Sequence, residues 1–211
     1  MRILSGKFIP ENLNSSSGLT VEIVKQAIEY SYEIIDQIDE KLTSVGANKI
    51  SQMIELANYS SILGNLIALG IEKKSEGKYI RNLPHKYPDI LAVSQTAKDI
   101  EIKISLELNK PKGHLAKSGF YMICRYVLLY NDRNFVFDQR GDTAEIWEIR
   151  FGYLETDDFN LSNTPGDSGK TAVINKNGME KLKLIYVNLE TTPFSKESVT
   201  YQRYLKLISN V

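Results

Sequence analysis

Apolar positions along the chain fall into two textures, a helical one up to about residue 72 and a strand-like one after Gly77. From Thr20 to about Thr43, Val24, Ala27, Ile28, Ile35, Ile38 and Leu42 recur at the three- and four-residue spacing that gathers side chains on one helix face. Gly46 ends that helix. Asn48 stands where it can cap a second one, about Lys49 to Glu72, whose apolar side is Met53, Ile54, Ala57, Leu66 and Leu69. The spacing predicts two antiparallel helices joined by a short turn.

Beyond Gly77 the pattern predicts strands at Tyr79 to Asn82, Ile90 to Val93 and Ile100 to Leu108, followed by a helix from about His114 to Tyr130. Ala144 to Leu154 then alternates, with Trp147, Ile149, Phe151 and Tyr153 on one side and Glu148 and Arg150 on the other, as a half-buried strand does. Residues 160–170 are rich in Ser, Asn, Gly and Asp and read as a loop. Leu182 to Leu189 reads as a strand, Pro193 breaks the chain, and Lys196 to Ile208 reads as a closing helix. Helices, then strands, one helix and more strands argue for an α/β (α+β) fold: a central mixed sheet of four to six strands with helices on both sides. A chain of 211 residues suits one domain, with N-terminal helices over about 20–72, a core over about 76–190 and a C-terminal helix over about 196–208.

Composition changes this picture little. No run is apolar enough to span a bilayer, and the opening MRILSGKFIPENLN is broken by Gly6, Lys7 and Pro10, unlike a signal peptide. Cys124 is the only cysteine, which rules out an intrachain disulfide or a Cys-rich zinc site and favours the cytoplasm. Formal net charge is zero, which excludes a general polyanion binder of the histone kind. It leaves room for a nucleic-acid site in which clustered carboxylates offset basic residues elsewhere.

The chemistry concentrates in Pro88-Asp89-Ile90-Leu91 and Glu101-Ile102-Lys103. Alternation through the Ile100 strand puts Ile100, Ile102, Ile104, Leu106 and Leu108 on one face and Glu101, Lys103, Ser105 and Glu107 on the other. A fully apolar face pins the register, because a slip of one residue would bury the charges. Glu101 and Lys103 therefore project together, about 6–7 Å apart at roughly 3.3 Å per residue. If the short run after Asp89 pairs antiparallel with this strand, through a turn near Gln95 to Lys98, Asp89 comes beside Glu101. Two close carboxylates repel each other and favour a hard divalent cation, and Mg²⁺ takes one or two carboxylates with waters and phosphate oxygens. Lys103 then stands beside an attacking water and the developing phosphate charge.

Pro88-Asp89 followed by Glu101-Ile102-Lys103 resembles the motif of the PD-(D/E)XK nucleases, and the context around it resembles a type II restriction endonuclease-like member. The resemblance covers about Lys49 to Leu189. It implies a mixed-sheet core with one helix before the motif and one after it. It also implies Mg²⁺ on Asp89 and Glu101 with the Ile102 carbonyl as an added ligand, and Lys103 serving the nucleophilic water. Glu55 is the match for a further catalytic glutamate from the preceding helix. The implied activity is cleavage of double-stranded DNA to 5′-phosphate and 3′-hydroxyl ends by a homodimer, with the helices before the core as its interface. A repair nuclease of the same superfamily and a catalytically silent DNA-binding protein are the other readings.

On the helix expected after the motif, His114, Lys117, Ser118, Tyr121 and Arg125 share an angle and, with Lys112, make a candidate DNA-facing stripe. His85 lies near Asp89 in sequence and is a further candidate ligand. Base-reading side chains are sought in 131–142 or 155–178. Gly166 to Thr171 resembles the end of a P-loop, but Thr164 stands where the first glycine belongs and AlaValIle follows as a strand, so no nucleotide cofactor is expected. Asp157-Asp158 reads as an exposed turn, Glu145 and Glu148 as the solvent side of their strand, and Cys124 and Trp147 as packing residues.

Overall fold

The computed structural model describes residues 2–13, 17–113, 115–130, 135–136, 139–162 and 171–209. A seven-stranded mixed sheet forms its centre. In chain order the strands of that sheet are β1 (Lys7–Phe8), β2 (Tyr79–Arg81), β3 (Ile90–Ala92), β4 (Ile100–Leu106), β6 (Gly119–Leu129), β7 (Thr143–Leu154) and β10 (Lys183–Val187), laid side by side as β1-β10-β7-β6-β4-β3-β2. Every neighbouring pair is antiparallel except β4 with β6. A small second sheet, β5-β9-β8, comprises β5 (Lys112–Gly113), β8 (Phe159–Ser162) and β9 (Thr171–Ile174).

On one face lie α1 (Val21–Ser44) and α3 (Leu56–Lys74). Thr20 caps α1 by accepting the Ile23 amide, and Ile23, Val24, Ala27, Ile28, Tyr32 and Ile35 form its buried stripe. That stripe joins Tyr59, Leu63, Ile67 and Ile71 of α3 and Ile100, Ile102, Met122, Ile149 and Phe151 of the sheet in one core. The apolar stripes of the two helices are thus taken up inside the chain. A two-fold partner meeting them would find mainly their polar faces. The opposite face of the sheet is covered by the small sheet, α4 (Lys176–Lys181) and α5 (Val199–Ser209), through clusters built on Tyr121, Ile123 and Ile174 and on Val127, Trp147 and Tyr204. No helix is long and apolar enough among the described residues to cross a membrane.

The central sheet has seven strands where the pattern predicts four to six, and three further expectations need correction. The second helix is not continuous: α2 (Ile50–Met53) ends, and Ile54 and Glu55 are extended before α3 begins. The break is compensated by the segment before β7. Arg140 donates to the carbonyls of Ser51 and Ile54, and the Ser51 hydroxyl donates to the Asp142 carbonyl at 2.5 Å. The helix expected over 114–130 is the central strand β6. Met122 to Leu129 is apolar almost throughout because both of its faces are covered, and a doubly buried strand lacks the alternation that would announce it. Finally, β7 is buried on both sides. Its register on β6 shifts between Arg125 and Tyr126, which leaves Trp147 as the extra residue of a bulge and moves it to the face opposite Ile149. Glu145 and Glu148 are therefore interior residues, at 7% and 0% exposure, and not the solvent side of a strand.

Candidate functional site

β3 and β4 form the expected antiparallel hairpin, with Ile90 opposite Ile100. Continuing that register sets Asp89 beside Glu101, and the hydrogen bonds agree. The Asp89 amide donates to Glu101 Oε2 at 3.2 Å, and Asp89 Oδ2 accepts the Ile102 amide at 2.8 Å. Because β3 ends here, the edge of β4 at Ile102 meets a carboxylate and not another strand. In an extended residue the N–H and C=O leave the chain toward the same edge. The Ile102 carbonyl therefore points to the edge from which Asp89 approaches, so two carboxylates and a carbonyl converge. Lys103 Nζ donates to Glu101 Oε1.

Glu101 is only 8% exposed. Burial raises its pKa above the usual carboxylate range; Lys103 opposes that shift and the Asp89 charge adds to it. Lys103 lies beneath Gly113 of β5. A Cβ at Gly113 would come within 3.1 Å of Lys103 Cε, so the backbone of β5 passes close over the end of the lysine. Among the described residues no three His, Cys, Asp or Glu side chains are gathered around one point. The pair of carboxylates with a carbonyl is a donor set suited to Mg²⁺, which keeps several waters, and not to an all-protein cage.

Asp89, Ile102 and Lys103 lie in a cleft of about 1090 Å³ that follows the open edge of β4. One wall is α3, presenting Ser60, Ser61, Gly64 and Asn65; the others are the link from β2 to β3 and the strand β5. Arg81, Lys86, Lys103, Lys110 and Lys112 all line it, with His85, while Asp89 is its one lining acid among the described residues. A chain of zero net charge thus gathers five cationic side chains along a cleft whose lining acid is Asp89.

The other candidates separate. Lys112 lines the cleft, and His85 stands at its rim with φ +63°. Glu55 is the exposed N-cap of α3, with Leu56 and Ala57, but not Glu55, reaching the cleft wall. His114 lies outside the described residues, as do 131–134 and the Gly166 to Lys170 run. Lys117, Ser118, Tyr121 and Arg125 do not form a helical stripe, since β6 is a strand. The Lys117 ammonium sits 4.3 Å from the Tyr87 ring centre, Tyr87 Oη donates to the Ser118 carbonyl at 2.9 Å, and the buried Tyr121 hydroxyl donates to the Lys117 carbonyl at 2.8 Å. Together they brace the residue before Pro88. Arg125 is buried, donating from Nη1 to Glu148 Oε2 at 2.8 Å, and so is no solvent-facing DNA contact. Cys124 is a packing residue as expected, but in β6, and burial raises its thiol pKa strongly. Trp147 is core. Asp158 is buried against Lys181 at 2.8 Å and is not an exposed turn residue.

Sequence reasoning missed Arg81, Lys86 and the α3 wall as site residues. The first two carry no periodic signal. They flank Asp89 only because β2 and β3 form a hairpin whose turn projects beside the motif. No protein-family model matches the chain, and no curated protein resembles it at a significant level.

Proposed function

We propose that the protein is a Mg²⁺-dependent endonuclease of double-stranded DNA, working in the manner of a type II restriction enzyme and leaving 5′-phosphate and 3′-hydroxyl ends. The observation that supports it best is the meeting of Asp89 and Glu101 at the Ile102 edge of β4, with Lys103 alongside, where Asp89, Ile102 and Lys103 open onto a cleft lined by cations. Asp89, Glu101, Ile102 and Lys103 stand together as the resemblance to the PD-(D/E)XK nucleases implies, whereas Glu55 does not join them. A cleft rich in Lys and Arg attracts a phosphodiester chain irrespective of its sequence.

Asp89 and Glu101 would hold the metal, with the Ile102 carbonyl as third protein ligand. The bound cation supplies Lewis-acid polarisation of the phosphate and a water more readily deprotonated than in bulk. Glu101 is oriented by the Asp89 amide and Lys103, and Asp89 by the Ile102 amide, so neither carboxylate has to reorganise. Lys103, roofed by Gly113, presents its ammonium where it can hold the attacking water and offset charge growing on the phosphate oxygens. Arg81, Lys86, Lys110 and Lys112 position the strand. The proposal extends to a two-fold dimer, since one site per chain cuts one strand.

The test incubates long duplex DNA with purified protein, in Mg²⁺ and in EDTA. Discrete fragments are expected with Mg²⁺ only. Asp89→Ala, Glu101→Ala and Lys103→Ala are each expected to lower the rate at least about 100-fold while keeping the wild-type circular-dichroism spectrum. Cleavage undiminished in all three would refute the site. Tight binding with no cleavage by the wild type would support a silent DNA-binding protein instead.

A further inference from the structure

Past Lys103 the cleft follows β4 to Ser105, where hydrogen-bonding capacity is left unused. Ser105 lines the cleft, is 6% exposed, and its Oγ has no partner among the described residues. Its neighbour in register on β6 is Arg125, whose Nε is also buried and without a partner, although its Nη1 is tied to Glu148. Arg125 and Arg150 share that one fully buried carboxylate, so the cluster behind Ser105 carries a surplus of positive charge. Tyr204 donates its hydroxyl to the same carboxylate and adds no charge to it. Lys110 and Lys112 stand on the cleft lining nearby.

Buried donors left unsatisfied are unfavourable in the free protein. They suit an anion. We propose that Ser105 Oγ marks a phosphate subsite on the cleft wall, donating to a non-bridging oxygen of the backbone phosphate that neighbours the one at Asp89 and Glu101, with Arg125 behind it contributing charge and not contact. Lys112 completes it from β5. Lys103 and Ser105 lie about 6–7 Å apart as alternate residues on one strand face, comparable with the step between neighbouring phosphates of a nucleic-acid strand. The identity of the ligand as DNA backbone rests on the nuclease reading; the anion subsite rests on the unused Ser105 hydroxyl.

Three measurements test this: thermal melting of the free protein, fluorescence anisotropy of a short labelled duplex in EDTA over a range of salt, and calorimetric titration with inorganic phosphate. Ser105→Ala is expected to melt at or above the wild-type temperature, because it removes an unsatisfied hydroxyl. It should bind the duplex about five- to tenfold more weakly with an unchanged salt slope, and raise KM for cleavage more than it lowers kcat. Lys112→Ala should lower the salt slope by about 1. Ser105→Ala that melts lower and binds duplex as the wild type does would overturn the subsite and assign the donors to an internal water. If the wild type fails to bind duplex at all, the nuclease reading falls. Inorganic phosphate binding that is lost in Ser105→Ala would then still support the anion subsite, and its absence from the wild type would end it.

Discussion

At the scale of single residues, the chain places several carboxylates where burial works against their charge, and Glu145 shows the consequence most directly. It lies in β7 at 7% exposure, with Arg2 Nη1 at 3.8 Å. That guanidinium is shared: Arg2 donates to Asp36 through Nε and Nη2 at 2.9 and 2.7 Å, and stacks over Tyr32 at 4.2 Å. Desolvation dominates, Arg2 and a hydrogen bond with Tyr32 oppose it, and the Glu145 pKa is pushed up to about 7 from an ordinary 4.5. A carboxyl with a raised folded-state pKa holds its proton in the native protein after the unfolded chain has lost it. Between pH 4.5 and about 7 the native state therefore binds more protons, and this group makes stability fall as pH rises through that window. The shift corresponds to about 3 kcal/mol. Glu145→Gln removes the titration, so denaturant unfolding at pH 5, 6, 7 and 8 should show the variant gaining on the wild type by that order across the window. Parallel pH dependence of the two proteins would sink the assignment.

At the scale of elements, the crossing of α1 and α3 sets how closely the helical layer sits on the sheet. Gly70 is buried in α3, and a Cβ there would stand 2.5 Å from the Ala27 carbonyl oxygen and 2.7 Å from its Cα. Replacing a mid-helix glycine by alanine normally stabilises by about 1 kcal/mol. Here the clash is with backbone, which cannot rotate away, and overpacking costs about 1–3 kcal/mol, so the clash wins. Gly70→Ala should lower the melting temperature, read by circular dichroism; a rise would mean the helices can separate without loss. The α1 stripe and the β3–β4 hairpin were legible in the sequence because each has one buried and one polar or open side, which writes a period into the chain. Glu101 and Lys103 were legible for the same reason. β6 was not, because burial on both faces erases the period, and the four-residue spacing of Lys117, Tyr121 and Arg125 then mimics a helix. The β7 bulge at Trp147 was hidden because one inserted residue exchanges the faces without changing the local alternation. The break before α3 was hidden because its compensation, Arg140, lies far away in sequence. The cleft lining was hidden too, since Arg81, Lys86 and Lys112 come from three separate connections.

At the scale of the whole molecule, the uneven charge distribution fixes how a duplex would approach. Five cationic side chains line one cleft with a single acid among its described lining residues, the chain is neutral overall, and so binding should be orientated by the cleft and not spread over the surface. The chain carries a single Asp89–Glu101 pair, so the proposed enzyme cuts both strands only if two chains act together. Since the apolar stripes of α1 and α3 are internal, the two-fold contact is expected to form from other surfaces, or when DNA brings two chains together. Mixed dimers decide this. Wild type and Asp89→Ala, co-expressed with different tags and purified through both, should hold one competent site per dimer. On supercoiled plasmid the wild type is expected to yield linear DNA, whereas the mixed dimer should stop at nicked circles, because its second strand faces an alanine in place of the metal-binding aspartate. Linearisation by the mixed dimer at half the wild-type rate or faster would show that one chain cuts both strands in turn. A wild type that sediments as a monomer on its DNA would exclude the dimer outright.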